Sequence, residues 1–161
     1  MKNYIPILSI LVFLFSCQSQ KNIAGNYTYK TECAGNADDG QFLLKAWGKG
    51  VNKKEALEDA HKNALKDVLF SGVFTGDAAC ARNALLTEVN AIEKHKAFFE
   101  KFFARNGDYK DFIKERKNGV NPKYDKKKSR FGVVYGTILI FKQTELDNYL
   151  TKKGVKKSSN D

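Results

Sequence analysis

Apolar residues change their spacing along the chain, and the changes predict a succession of strands and helices. Residues 27–33 alternate and are rich in aromatic and β-branched residues, as in a strand. Residues 41–50 predict a second strand, with Phe42, Leu44 and Ala46 on one face and Leu43 and Trp47 on the other. Turn-forming residues over 34–40 join these two strands into a hairpin. Residues 131–141 are apolar at successive positions, which indicates a buried central strand.

Helical spacing begins after this first hairpin. Asn52 and Glu55 have the spacing of a capping box, and alanines that recur at every fourth residue predict a helix from Lys53 to Phe70 that lies close against the sheet. Further helices are predicted over 85–107, with Val89, Ile92, Phe99 and Phe102 or Phe103 on one face, over 108–116 and over 144–154. The order β-β-α-α-β-α predicts a single α+β domain over 27–154, with a small antiparallel or mixed sheet and helices packed on one face. Residues 155–161 are predicted to be a disordered tail.

The N-terminal segment has the pattern of an export signal. An apolar run over 5–15 follows Lys2 and is too short for a membrane-spanning helix, which needs about 20 apolar residues. The stretch Leu-Phe-Ser-Cys at 14–17 resembles the lipobox of bacterial lipoproteins. The resemblance implies a signal peptide at 1–16 that is removed, a lipidated tether over 17–26, and a Cys17 whose thiol is alkylated with a diacylglycerol and whose new N-terminus is acylated, for example with palmitate. The alternative is an ordinary secretory signal in which Cys17 is incidental.

The charges near Cys17 bear on localisation. Lipoprotein retention and surface-export signals use acidic residues near the acylated cysteine, and this chain has none between Cys17 and Glu32. We therefore expect a lipid-anchored protein at the outer membrane, with its domain facing the periplasm. The leaflet and the choice between inner and outer membrane stay open at this point.

The chain is strongly basic, with 28 Lys and Arg against 18 Asp and Glu. In the periplasm nucleic acid is an unlikely partner, so the charge favours anionic lipid or an acidic partner protein over nucleic acid. The charge is denser over 123–130 and over 152–157, and the first run predicts a basic contact surface formed by Lys126, Lys127, Lys128 and Arg130. The simpler interpretation is that dispersed lysines keep the domain soluble.

Cys33 and Cys80 remain as an even pair in an exported domain, which favours a disulfide. The bond would close a large loop and stabilise the fold by about 4 kcal/mol. The alternative is two unrelated thiols, one or both of them buried.

The aromatic stretch Phe-Phe-Glu-Lys-Phe-Phe at 98–103 covers more than one narrow helical face. It is interpreted either as a wide core-facing stripe or as an aromatic contact surface that includes Phe98 and Phe103.

Candidate catalytic chemistry is sparse. Gly48 and Gly50 fall between a strand and a helix, as in a dinucleotide-binding loop, but Lys53 takes the place of the third glycine, so we interpret the pair as easing a tight turn. His61 and His95 lie on different predicted helices without a metal-site spacing. The sequence therefore predicts no enzyme, no cofactor and no metal site.

Residues 43–73, with Glu55 followed by Ala56, Ala60 and Ala64, resemble the strand-helix unit of small outer-membrane and flagella-associated lipoproteins. The chain from Cys17 onward also resembles uncharacterised envelope lipoproteins of Bacteroidota. These resemblances imply a non-catalytic binding or scaffolding subunit of a cell-envelope assembly, with an envelope protein as partner. The alternative function is binding of anionic ligands or lipids through the basic surface.

Overall fold

The computed structural model describes residues 30–37, 40–116, 126–129 and 132–157, so the predicted signal peptide, Cys17 and the tether lie outside the described residues. The strands are β1 (Glu32–Asn36), β2 (Phe42–Gly50), β3 (Thr75–Gly76), β4 (Ile113–Glu115), β5 (Lys126–Ser129) and β6 (Gly132–Phe141). The helices are α1 (Lys53–Lys66), α2 (Ala91–Lys94), α3 (Lys96–Phe102) and α4 (Gln143–Lys152).

The strands form one open mixed sheet in the order β3-β1-β2-β6-β4, and β5 also pairs with β6. The β1–β3 pair is parallel and the other pairs are antiparallel. The long β2–β6 pair lies at the centre, while β4 and β5 pair with opposite ends of β6. This arrangement confirms the predicted α+β class and the predicted central strand.

The start of α1 follows from the local sequence. The Asn52 side chain accepts a hydrogen bond from the Glu55 N–H at 3.0 Å, and the Glu55 carboxylate accepts one from the Val51 N–H at 3.1 Å. These reciprocal bonds satisfy N–H groups that have no partner within the helix. The capping box predicted from the sequence therefore begins the helix at Lys53.

Two glycines of β2 set how closely α1 approaches the sheet. A Cβ at Gly48 would overlap the Ala56 carbonyl oxygen and the Ala60 nitrogen, and one at Gly50 would overlap the Ala56 nitrogen. Ala56, Ala60 and Ala64 of α1 are fully buried. The interpretation of the glycines as easing a turn was wrong, because both lie within the strand and permit backbone contact between helix and sheet.

The core lies on one face of the sheet, beneath the helices. Leu44 and Leu139 of the two central strands belong to the same buried cluster as Leu65 of α1, Phe102 of α3 and Leu146 of α4. The prediction that the helices pack on one face agrees with this cluster.

The aromatic stretch lies at the edge of that core. Phe98 and Phe103 are half-buried and pack against the core cluster. The Phe98 ring stacks on Phe102 with centroids 5.5 Å apart, and Phe103 meets Phe102 edge-on at 4.9 Å. Both rings are thus used in packing, as in the core-facing interpretation, and neither projects as a free contact surface.

The first described strand extends further along the sequence than predicted. β1 covers 32–36, so part of the expected turn belongs to the sheet, while residues 27–29 of the predicted strand lie outside the described residues. The pairing register with β2 shifts between Cys33 and Gly35, where Gly35 has φ 114°. A bulge with glycine in this conformation lets the pairing continue through a segment whose composition resembles a turn.

The helix predicted over 85–107 is broken into α2 and α3. Leu85 and Leu86 donate backbone hydrogen bonds at 3.0 Å to the carbonyls of Val68 and Leu69, and Asn90 has φ 60°. The first two residues of the predicted apolar face are therefore not buried, since Val89 is 81 % exposed and Ile92 is 48 % exposed.

The helix predicted over 108–116 was also largely wrong. Only Asp108–Asp111 form a short 3₁₀ turn, and the chain then enters the sheet as β4. The Arg116 N–H donates to the Ile138 carbonyl at 2.9 Å. Pairing with β6 overrides the local helical pattern at this edge.

The predicted disordered tail begins too early. Val155 is 5 % exposed and belongs to the core cluster, and its N–H donates to the Leu150 carbonyl at 3.0 Å. Residues 158–161 lie outside the described part of the chain.

Candidate ligand-binding cavity

A cavity of about 570 Å³ opens between the outer side of α1 and the edge of the sheet at β4. Volumes of this size are typical of sites for small molecules. Its lining residues come from α1, from the 3₁₀ turn and from β4: Lys53, Lys54, Leu57, Glu58, His61, Tyr109, Lys110, Ile113 and Glu115.

Lysines concentrate positive charge where α1 begins. Lys53 and Lys54 occupy the first turn of α1, where the helix dipole already disfavours cations. The Lys53 ammonium lies 5.8 Å from the centroid of the Tyr135 ring, and the Lys126 ammonium lies 5.5 Å from the same centroid. The cavity lining at this end includes the two lysines Lys53 and Lys54, so it can attract an anion.

Tyr109 contributes a buried phenol to the wall. The residue has no exposed surface, and its hydroxyl has no hydrogen-bond partner among the described residues. The hydroxyl does lie close to the Glu58 carboxylate, and burial, the negative charge of Glu58 and weak hydrogen bonding to it raise the pKa of Tyr109 to about 12. The phenol is therefore neutral at ordinary pH.

His61 contributes a second buried polar atom, which faces a carboxylate beyond hydrogen-bond distance. Its Nε2 is buried, makes no hydrogen bond within the described chain, and lies 3.6 Å from a Glu115 carboxylate oxygen. Burial lowers the pKa of His61, although Glu115 and Glu58 act in the opposite direction and Lys110 acts with burial. The imidazole is therefore neutral near pH 7.

Glu58 is held by an ion pair. Its carboxylate lies 3.1 Å from the Lys62 ammonium, one turn further along α1. Burial raises the pKa of Glu58, but hydrogen bonding and attraction from Lys62 outweigh it, so the pKa of this carboxyl lies below its usual value. Glu58 is charged at neutral pH, and Lys62 offsets that charge.

The burial of His61 makes stability depend on pH. An unfolded histidine binds a proton near pH 6.5, while the pKa of folded His61 lies lower, so the unfolded chain binds more protons as the pH falls. We expect the free energy of unfolding to decrease as the pH falls below 6.5. His61 should cause no further decrease once the pH is below the pKa of the folded His61. Urea unfolding of wild type and His61→Gln at about pH 7.5, 6.5 and 5.5 tests this.

His61→Gln is expected to lack the part of the pH dependence that comes from His61. His95→Gln, at the junction of α2 and α3, is the matched control and is expected to keep that part. An equal slope in wild type and His61→Gln would contradict the assignment.

The predicted basic surface does not contribute to the described lining of this cavity. Lys126 lies beside the Tyr135 ring, which Lys53 of α1 also approaches. Lys127 and Lys128 contribute backbone to β5, their side chains lie outside the description, and Arg130 lies outside the described residues. Sequence reasoning missed the lysines of the first turn of α1, although their unfavourable position relative to the helix dipole was a signal that could have found them.

Cys33 and Cys80 are joined in a disulfide, with their Cα atoms 5.8 Å apart. Cys33 lies in β1, and Cys80 ends a short 3₁₀ turn. The bond lies in the core, away from the cavity, and its position is that of a structural link.

Within the described ranges, no group of three or more His, Cys, Asp or Glu side chains is placed to hold a metal ion. No helix in that same part of the chain is long and apolar enough to cross a membrane. No protein-family model, curated protein or solved structure matches this chain.

Proposed function

We propose that this chain is a non-catalytic binding subunit of the cell envelope that takes an anionic ligand into the cavity between α1 and β4. Acylated Cys17 holds it at the outer membrane, and the domain faces the periplasm. The observation that carries the proposal is the combination of an apolar wall at Leu57 and Ile113 with lysines at the start of α1. An apolar wall with a few polar groups is the usual composition of a small-molecule site.

A scaffolding role in an envelope assembly is the second candidate. Val89 and Ile92 expose apolar side chains near α2, at 81 % and 48 %. Exposed apolar residues of this kind favour contact with a partner protein.

The anchor is tested by growing cells with radiolabelled palmitate and separating their inner and outer membranes. Wild-type chain is expected to carry the label and to sediment with the outer membrane, whereas Cys17→Ala carries none. Crosslinking in the same membranes identifies any partner protein. An unlabelled wild-type chain would contradict the anchor, and a labelled chain in the inner membrane would contradict the localisation.

The ligand class is tested with decanoate and decyltrimethylammonium, which have equal chains and opposite charges. The acylated chain is held in phosphatidylcholine nanodiscs, and heats measured with empty nanodiscs are subtracted. We expect decanoate to bind and decyltrimethylammonium not to bind. Lys53→Ala/Lys54→Ala should weaken the binding of decanoate about tenfold. Lys152→Ala/Lys153→Ala, an adjacent exposed pair outside the cavity, is the matched control. Equal binding of both amphiphiles would contradict the proposal.

A further inference from the structure

The start of β1, the end of β2 and the start of β3 lie at the same end of the sheet. The β1–β2 pair is antiparallel and the β1–β3 pair is parallel, so the chain enters β1 and β3 where it leaves β2. The described chain also begins there, at Lys30, thirteen residues after Cys17. We call this the tether end, and its exposed residues include Lys30, Val51, Lys53, Lys54 and Phe74.

Two large apolar side chains are exposed at the tether end. Phe74 directly precedes β3 and Val51 directly follows β2, and each is 65 % exposed. The Phe74 ring lies against Gly72, where an added Cβ would come within 2.7 Å of a ring carbon. Exposed apolar side chains of this size are typical of surfaces that contact a protein or a membrane.

Positive charge accompanies these apolar side chains. Lys30, Lys53 and Lys54 are exposed, and the acids beside them are Glu32 and Glu55. The Glu55 carboxylate is held in the capping box of α1. The lysines therefore outnumber the acids, and lysines near a bilayer are attracted to anionic phospholipid headgroups.

The proposed tether connects this end of the sheet to a membrane. Thirteen residues span at most about 45 Å when fully extended, so acylated Cys17 would keep the tether end close to the bilayer. Contact between the domain and the bilayer is then an intramolecular step, for which the effective concentration is high. Under these conditions a contact of a few side chains is sufficient for docking.

We infer that the tether end docks on the phospholipid bilayer, with Phe74 and Val51 at the boundary between headgroups and acyl chains and the three lysines at anionic headgroups. The inference rests on the acylation of Cys17 in the proposed function, and it adds an orientation of the domain. A second copy of the chain is a poorer occupant, because it would bring the lysines of two copies together.

The test locates the bilayer-facing side of the domain by NMR. The acylated wild-type chain is held in nanodiscs of phosphatidylcholine and phosphatidylglycerol that contain a gadolinium-chelating lipid, which broadens the amide signals of residues near the bilayer. We expect the strongest broadening at 50–54 and 72–76. Residues 143–147 follow the other end of β6 and should be broadened least.

Phe74→Ser/Val51→Ser is expected to lose this contrast between the two ends, because burial of the two side chains in the bilayer favours the docked state by about tenfold or more. Val89→Ser/Ile92→Ser is the matched control, since it removes an exposed apolar pair near α2. This control should keep the contrast. Circular dichroism checks that both variants are folded, and the wild-type measurement needs no variant.

The outcomes separate the inference from the proposed function. Uniform broadening of the anchored wild-type chain, or strongest broadening near α2, would overturn the docking and leave the anchor standing. A wild-type chain isolated from membranes without an acyl group would overturn the proposed anchor, and the inference with it. A contrast that persists in folded Phe74→Ser/Val51→Ser would also overturn the inference.

Discussion

Gly48→Ala is expected to lower the free energy of unfolding by about 3 kcal/mol or more. The added Cβ would overlap the carbonyl oxygen of Ala56 and the backbone nitrogen of Ala60. Because both atoms belong to the backbone of α1, the helix itself must move away from the sheet. Urea unfolding followed by circular dichroism measures the change.

Two companion variants identify the cause of the loss. Gly154→Ala places a Cβ where nothing lies within 4 Å, although at φ 69°, so only about 1 kcal/mol of backbone strain is expected. Adding Ala60→Gly to Gly48→Ala should give no rescue, since the overlap is with backbone atoms. A loss below about 1 kcal/mol for Gly48→Ala would contradict the close contact between helix and sheet.

Removing the disulfide is expected to cost about 4 kcal/mol, because the bond closes a loop between residues 47 positions apart. Cys33→Ala/Cys80→Ala is the suitable variant, since both cysteines are buried and serine would bring unpaired hydroxyls into the core. Urea unfolding of wild type and variant gives the difference.

Chemical reduction of the disulfide in the wild-type chain is the control for this loss of stability. A reducing agent should lower the stability of the wild-type chain by a similar amount and leave Cys33→Ala/Cys80→Ala unchanged. A reductant that destabilises the variant, or has no effect on wild type, would contradict a stabilising bond between Cys33 and Cys80.

The elements that were predicted well have strong local signals. The Asn52 and Glu55 pair begins α1 as expected, because capping is a contact between residues three apart. The apolar run of β6 and the apolar spacing of α4 also appear close to the predicted bounds. In each case the buried face can be read from residues that are near one another in sequence.

The elements that were missed depend on distant partners. β4 exists because Ile113 and its neighbours pair with β6, more than twenty residues later. The break before α2 follows from hydrogen bonds between Leu85 and Val68 and between Leu86 and Leu69. The local spacing of apolar residues does not depend on pairing with distant residues, so it predicted helices at both places.

The cavity was missed for the same reason. His61 was interpreted as an ordinary boundary histidine, and α1 alone supplies only one wall. The opposite wall comes from Tyr109 and Ile113, which reach α1 only when β4 joins the sheet. A site formed by two segments about fifty residues apart cannot be derived from the spacing of either one.

The location of the disulfide has a mechanical consequence. With the proposed anchor at Cys17, a pull on the domain enters the described fold at residue 30 and reaches Cys33 within a few residues. The Cys33–Cys80 bond then transmits the load covalently to the segment after β3. Force applied through the tether would therefore bypass the part of the β1–β2 pairing that follows Cys33.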